Sequence, residues 1–258
     1  MKETLKKIIN GALLPLNMRV IKARQQNLSG QYLFEDLHRI ISAKSPTCID
    51  VGANEGQTIE ALRGVFEKPL IYAFEPASET FKKLEGRNFS GDIKLYNCAL
   101  GPKRGELDFY NYVDSKLSSV LSFDSALENP FREVEVTSVE SVQVETVDDF
   151  IDKNNIERLD LLKIDTQGFD FDVIKGAERS LAGDKIDCIL IELNFIKLYL
   201  GQPNPSEVIG YLANRNIFLV DLYEKNFLNT RLGWCTALFV SENKWRRSQL
   251  IESVAASR

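Results

Sequence analysis

One histidine, His38, stands in the whole 258-residue chain. His-based zinc clusters and Ser-His-Asp triads each need an imidazole in a particular place, so neither design fits. No uncharged apolar run approaches the ~18–20 residues of a membrane span. Basic residues do not predominate: 32 Lys and Arg stand against 37 Asp and Glu, a net charge of −5, which argues against a duplex-binding surface. CxxC pairs are lacking, and no acidic or Cys cluster has metal-ligand spacing, so no metal is expected. Cys48, Cys98, Cys188 and Cys235 lie far apart, each in or beside an apolar run, and read as small buried hydrophobes in a reducing cytoplasm. With 44% hydrophobic and 27% charged residues, 15 Gly and 8 Pro, the collagen-like, disordered and disulfide-stapled classes are excluded. Chemistry here must lean on carboxylates, lysine, tyrosine, backbone or a bound cofactor.

The uncharged stretch from Ile8 to Met18 is broken by Asn10, Gly11, Pro15 and Asn17, and no A-x-A site follows, so a signal peptide is not expected and the location is read as cytoplasmic. Residues 1–45 read as a helical appendage to a domain at 46–258. The alternative for the basic N-terminus is an amphipathic segment making weak contact with a membrane surface or partner.

From Pro46 onward short apolar runs alternate with helical patterns: 47–52, helix 58–66, 70–76, helix 78–87, then 93–100. Strands separated by ~10-residue helices indicate βαβ units and a parallel sheet. Residues 101–145 break the rhythm with a β-rich excursion whose tip is Ser-rich. Alternation resumes with a helix capped by Thr146, strand 159–165, helix 171–181 and strand 187–193. A helix at 205–215 opens on Asn204, Pro205 and Glu207, and runs 217–223 and 234–240 follow. Seven strands belong to the alternating frame.

Three features carry chemistry. Asp50-Val51-Gly52-Ala53-Asn54-Glu55-Gly56 joins the first strand to the first helix, where a Gly-rich turn lets a ligand approach backbone. Asn54 stands where a dinucleotide fingerprint has glycine, but Asn tolerates positive φ. Glu75 closes the second run about 20 residues later, placed to accept hydrogen bonds from ribose hydroxyls. The pair points to an adenosine-containing cofactor; the alternative is a tight turn beside a solvated acid. Lys163 and Asp165, two apart on one face, end an otherwise apolar strand, and a buried Lys requires a carboxylate. Glu192, ending the next strand, is a further acid on that edge; a structural ion pair is the alternative for both.

The stretches DVGANEGQT, YAFEPASETFKKL, VETVDDF, LLKIDTQGFDFDVIKGAERSL and ILIEL resemble, in order and spacing over about residues 46–240, the motifs of the FkbM-type S-adenosylmethionine-dependent methyltransferases. The resemblance implies an α/β, Rossmann-like class I fold with a mostly parallel seven-stranded sheet ordered 3-2-1-4-5-7-6. It also implies a last antiparallel pair, the β-rich insertion after strand 3, and O-methyl transfer to sugars, glycolipids, polysaccharide precursors or secreted natural products. By residue, it implies that Asp50, Gly52, Asn54 and Gly56 hold the methionine end of S-adenosyl-L-methionine, and that Glu75 with Pro76 serves the ribose. Asn97, Cys98 and Ala99 then line the adenine pocket, although Cys98 suits no polar role. Gln167 stands where the family usually has Glu, and Thr236 receives no role.

A hydroxyl must lose its proton as it attacks a methyl group. Asp165 is the first candidate base, Lys163 its charge-setting neighbour, and Glu192 the second candidate. Tyr110, Tyr112, Ser118 and Ser119 of the excursion, with Ser115 and Ser122 nearby, are candidates for acceptor recognition, the expected partner being a small-molecule or glycan acceptor rather than nucleic acid. Competing readings are a polyketide-type O-methyltransferase, a non-catalytic S-adenosylmethionine-binding protein, an NAD-dependent oxidoreductase, whose Gly pattern fits poorly, and a nucleic-acid methyltransferase, disfavoured by charge.

Overall fold

The computed structural model of the chain describes residue 28 and residues 30–123 and 134–248. The basic N-terminal segment and the tip of the excursion, including Ser125, lie outside them. A short helix, α1 (Leu33–Ile41), precedes a repeating strand–helix frame: β1 (Thr47–Val51), α2 (Gln57–Val65), β2 (Leu70–Phe74), α3 (Ser78–Gly86) and β3 (Ile93–Tyr96). The insertion holds β4 (Ala99–Leu100), β5 (Gly105–Tyr112) and β6 (Val136–Glu145). The frame resumes with α4 (Val147–Lys153), β7 (Leu159–Ile164), α5 (Asp170–Lys175), α6 (Glu178–Ala182), β8 (Ile186–Asn194), α7 (Pro205–Ala213), β9 (Ile217–Leu228) and β10 (Arg231–Ser241).

The main sheet is ordered β3-β2-β1-β7-β8-β10-β9. Numbering only its own strands, that is the expected 3-2-1-4-5-7-6. Every pairing from β3 to β8 is parallel, and β10 runs antiparallel to both its neighbours. Order reverses between β1 and β7, so the carboxyl ends of these strands flank the crevice in which open α/β sheets bind ligands.

Period-two alternation builds a core on each face of the sheet. Ile49, Val51, Phe74, Leu162, Ile164, Ile189 and Ile191 face α4 to α7 and meet Phe150, Val173, Ile174 and Leu212. Cys48, Ile71, Ala73, Leu161, Cys188 and Leu190 face the opposite way, onto Ile59 and Leu62 of α2 and Leu84 of α3. The same face takes Leu33, Leu37 and Ile41, the i, i+4, i+8 stripe of α1. Buried Asp36 fastens this helix to β9 by accepting the Tyr223 hydroxyl at 3.1 Å and the Gly30 N–H at 2.7 Å.

Three elements differ from the sequence reading. The run 93–100 is two strands: the chain leaves the main sheet after Tyr96, and Ala99–Leu100 pairs with Val144–Glu145 of the insertion. Helix 171–181 is two helices. Gly176 lies against the Gly101 carbonyl so closely that a Cβ there would meet it at 2.1 Å, and its own carbonyl accepts the Asp148 N–H at 2.9 Å. Buried Asp148 then starts α6 by accepting the N–H groups of Arg179 and Ser180, both at 2.8 Å. The last two runs are longer than expected because β9 and β10 continue past the sheet as a hairpin. The caps agree: Thr146 accepts the Asp149 N–H, and Asn204 with Glu207 forms a capping box.

Asp148→Ala leaves two helix-terminal N–H groups in the interior without an acceptor and should cost about 1–3 kcal/mol. Urea unfolding would read this as a lower midpoint at constant slope.

Candidate functional site

At the crevice the backbone of two loops almost touches. Gly52, at φ +77°, lies so near the chain after β7 that a Cβ would stand 1.9 Å from the Asp165 carbonyl. No other residue fits. Asn54 takes φ +47°, as its tolerance of the left-handed region allows. The Gly52 and Ala53 N–H groups donate to the Phe74 carbonyl, which turns the loop toward the end of β2. Glu75 is buried there. Its Oε2 accepts the Asn54 N–H and its Oε1 the Ala77 N–H, both at 2.9 Å, and each oxygen keeps a free lone pair. Burial, opposed by those two N–H groups, pushes the Glu75 pKa up to about 7.

The parallel register sets Asp50 directly opposite Lys163. Lys163 Nζ lies 3.0 Å from Asp50 Oδ1 and 3.8 Å from Asp165 Oδ2, and it donates to the Gly52 carbonyl at 3.1 Å. The contact with Asp50 is an ion pair without good hydrogen-bond alignment, and neither Asp50 oxygen has a hydrogen-bond partner. Burial works against the lysine's charge, but Asp50 and Asp165 outweigh it and raise its pKa.

A cavity of about 440 Å³ opens over these strand ends, within the ~300–1,000 Å³ of small-molecule sites. Gly52, Asn54, Glu75, Pro76, Cys98 and Ala99 line one end, with Lys163, Asp165 and Glu192 further along. Three residues assigned to the cofactor are not among those lining the cavity. Asp50 is wholly buried against Lys163; Gly56 packs on Phe89 and Leu84; Asn97 turns away to donate to the carbonyls of Glu75 and Pro76 at 2.9 and 3.0 Å.

Asp165 is the more open acid, its side chain 41% exposed, and Gln167 Nε2 donates to its Oδ1 at 2.8 Å. Glu192 differs: burial, then the charges of Asp165 and Asp170, push its pKa well up. Asp170, pushed up to about 6 by burial and by Asp165, accepts the N–H groups of Thr166 and Gly168 and shapes the turn that presents Asp165.

Of the excursion residues assigned to the acceptor, Ser118 lines the cavity. Tyr110 does not; its backbone bridges to that of Ser119. The Tyr112 hydroxyl accepts the Phe123 N–H at 2.9 Å, and the Ser119 hydroxyl reaches the carbonyls of Gln167 and Thr166. Both are buried: Tyr112 ties the excursion to itself, and Ser119 fastens it to the turn after β7. Asn194, Leu198 and Trp234 also line the cavity, and the sequence singled out none of them for a role. His38 is remote, packed beside Phe66.

Residues 50–218 match the Methyltransferase FkbM domain. The chain belongs to this family. Its members are S-adenosylmethionine-dependent methyltransferases, and S-adenosylmethionine is the cofactor of the domain. "Methyltransferase 1" of Beauveria bassiana (strain ARSEF 2860) is 29% identical over 161 residues, 56% of this chain and 63% of its own length. "2-O-methyltransferase NoeI" of Sinorhizobium fredii (strain NBRC 101917 / NGR234) is 23% identical over 170 residues, 63% of this chain and 69% of its own. The aligned region thus spans less than two thirds of the first relative and slightly more of the second. Among solved structures, an rRNA methylase from Streptococcus thermophilus superposes with TM-score 0.45 at 10% identity over 85% of this chain and 99% of its own. Likeness at that level carries no argument about function.

The FkbM domain's cofactor fits the cavity. Buried Glu75, with lone pairs to spare, suits two ribose hydroxyls; Gly52 and Asn54 leave backbone open; and the mostly acidic far end suits a sulfonium cation.

Two outcomes follow. Ribose hydroxyls favour ionised Glu75, so S-adenosylhomocysteine should bind about tenfold more tightly at pH 8 than at pH 6, with proton release near pH 6.5. In the free protein the sign is reversed: a raised carboxylate pKa removes stability as pH climbs from about 4.5 to about 7. Calorimetry in buffers of different ionisation enthalpy measures the binding effect, and Glu75→Gln should flatten it. Lys163→Met, which strands the wholly buried Asp50, should cost about 3–5 kcal/mol in chemical denaturation.

Proposed function

We propose that the protein is an S-adenosylmethionine-dependent O-methyltransferase acting on a hydroxyl of a sugar, as a free glycoside, glycolipid or polysaccharide precursor. The observation that carries it is Asp165: an exposed carboxylate just past the end of β7, lining the cavity, with one oxygen committed to Gln167 and the other 3.8 Å from the Lys163 ammonium. The 2-O-methyltransferase relative supports an oxygen acceptor. Residues 46–258 form the methyltransferase domain in this reading and residues 1–45 its appendage. Among the described residues no helix is long and apolar enough to cross a membrane.

Bound in the cavity, the cofactor supplies an electrophilic methyl group on its sulfonium sulfur. Gly52, Asn54, Glu75, Pro76, Cys98 and Ala99 hold it, and Lys163 keeps the Gly52 carbonyl and the Asp50 carboxylate in register beneath it. Asp165 Oδ2 accepts the proton of the attacking hydroxyl as the new C–O bond forms. The Gln167 amide, donating to Oδ1, holds this carboxylate in its orientation. Glu192, whose pKa is pushed up by burial and by the charges of Asp165 and Asp170, lines the same cavity and is the second candidate base. Alignment of the hydroxyl supplies most of the rate.

Asp165→Asn should lower kcat by about 10²–10⁴. S-adenosylhomocysteine Kd should stay within about threefold, because the lost interaction is worth well under one tenfold step. The assay is transfer of label from S-adenosylmethionine to a panel of methyl glycosides. Equal loss of turnover and cofactor affinity would move Asp165 to a binding role, and labelling of a phenol in place of every glycoside would overturn the sugar reading.

A further inference from the structure

A second cavity, of about 220 Å³, adjoins the first. Gln57, Thr58, Lys163, Asp165 and Glu192 line both, so the two meet along the strand ends beside Asp165. The first cavity carries the Gly52 loop and Glu75. The second lies on the face of the sheet that α1 covers, with Leu33 and Phe34 of that helix in its wall. Thr236 of β10 and Glu224 of β9 complete it.

Strand register sets these polar groups in a row. Ile164 pairs with Ile191, which brings Asp165 level with Glu192, and Glu192 pairs with Thr236. Glu224 joins the row by a break in β9. Asn226 faces Trp234 and Tyr223 faces Thr236, so three steps along β9 match two along β10. The extra residue makes a β-bulge, and within it Glu224 takes φ +49°, a left-handed conformation that residues other than glycine rarely adopt. In an unbroken strand Tyr223 and Glu224 point to opposite faces. Here both serve the α1 side: the Tyr223 hydroxyl reaches Asp36, and Glu224 Oε2 accepts the Thr236 hydroxyl at 2.8 Å. Glu224 is exposed, and no described residue donates to its Oε1. A strained bulge that aims a reachable carboxylate into a cavity points to a ligand.

The chemistry of that ligand follows from what the wall lacks. Its ionisable side chains are three carboxyls and Lys163, and the lysine is already held by Asp50 and the Gly52 carbonyl. A ligand that supplies its own donors, as hydroxyls do, meets this wall best. Asp165 and Thr236 stand two strands apart, roughly 10 Å at ~4.8 Å per strand. Two hydrogen bonds of ~2.7 Å leave about 5 Å between them, near the width of one six-membered ring with its oxygens. Phe34 adds aromatic surface for the C–H face of such a ring.

Resting on the sugar reading above, we propose that the acceptor ring extends from Asp165 into this second cavity, and that Glu224 Oε1 receives a hydroxyl across the ring from the one that is methylated. Glu224 is then an acceptor-binding residue that decides which sugars fit. A sugar without that hydroxyl is rejected because it brings the carboxylate no donor.

The test uses the full-length protein, the methyl glycoside that the wild type methylates, and the complete set of its monodeoxy analogues. Loss of one hydroxyl, across the ring from the reacting one, should raise wild-type acceptor KM at least about tenfold. Glu224→Gly should raise the KM of the parent glycoside by a similar factor and treat parent and analogue alike. It should change kcat and S-adenosylhomocysteine Kd less than about threefold, and leave Tm unchanged or higher, since glycine takes a positive φ without strain. Glu224→Gln, which keeps an acceptor oxygen, should hold the parent KM within about threefold. The same deoxy profile in wild type and Glu224→Gly overturns the proposal, as does a fall in Tm with acceptor KM unchanged, the mark of a purely structural bulge. If the wild type methylates no glycoside, the sugar reading fails first and this inference with it; methylation with a Glu224-independent KM defeats this inference alone.

Discussion

Lys163 is where sheet, loop and chemistry are tied together. A lysine in the third layer of a covered parallel strand is an expensive residue, and nothing in the packing of β7 asks for one. Three oxygens surround its ammonium group: the Asp50 carboxylate opposite it, the Gly52 carbonyl and, further off, Asp165. Two of them belong to β1 and the loop after it, so the lysine fixes the β1–β7 junction at the point where strand order reverses. The loop geometry follows from this. Gly52 can pass within contact of the Asp165 carbonyl only while the two strand ends keep their spacing, and Glu75 meets the Asn54 N–H only while that loop holds its turn.

The electrostatic balance at the crevice follows from the same junction. One buried cation serves Asp50 and, more weakly, Asp165, which leaves Glu192 and Asp170 without a counter-charge of their own. The result is a varied set of acids: Asp165 open and supported by an amide donor, Glu192 with its pKa pushed up by burial and its acidic neighbours, Asp170 spending its oxygens on backbone N–H groups. Similar side chains acquire different properties through burial and neighbours.

The parts of this arrangement that show in sequence are those governed by local rules. Alternating periodicity gave the strands of the main sheet, Thr146 and Asn204 announced two helix starts, and the Gly52–Asn54 loop followed by Glu75 marked residues that line the cavity. A lysine inside an apolar strand signalled a buried carboxylate partner. Contacts set by long-range register stayed hidden. Asp50 reads as a ligand residue until β1 is laid against β7 and Lys163 claims it. Tyr112 and Ser119 read as sugar-binding hydroxyls until the excursion folds back and they become its fastenings. The break between α5 and α6 likewise depends on Gly101, about 75 positions earlier, occupying the space a longer helix would need.

Tyr199 has a consequence of a different kind. It is almost wholly buried in the loop between β8 and α7, its hydroxyl donates to the Leu117 carbonyl at 2.9 Å, and its backbone bridges to that of Phe123. The two loops that bound the outer cavity are thereby riveted into one piece, although some eighty residues of chain separate them. A relative that changes its acceptor cannot rewrite one loop alone; the rivet obliges both to drift together. Lineages of such enzymes should therefore carry paired loop lengths as a heritable unit, shuffled or lost in concert, while the strand ends beneath stay fixed.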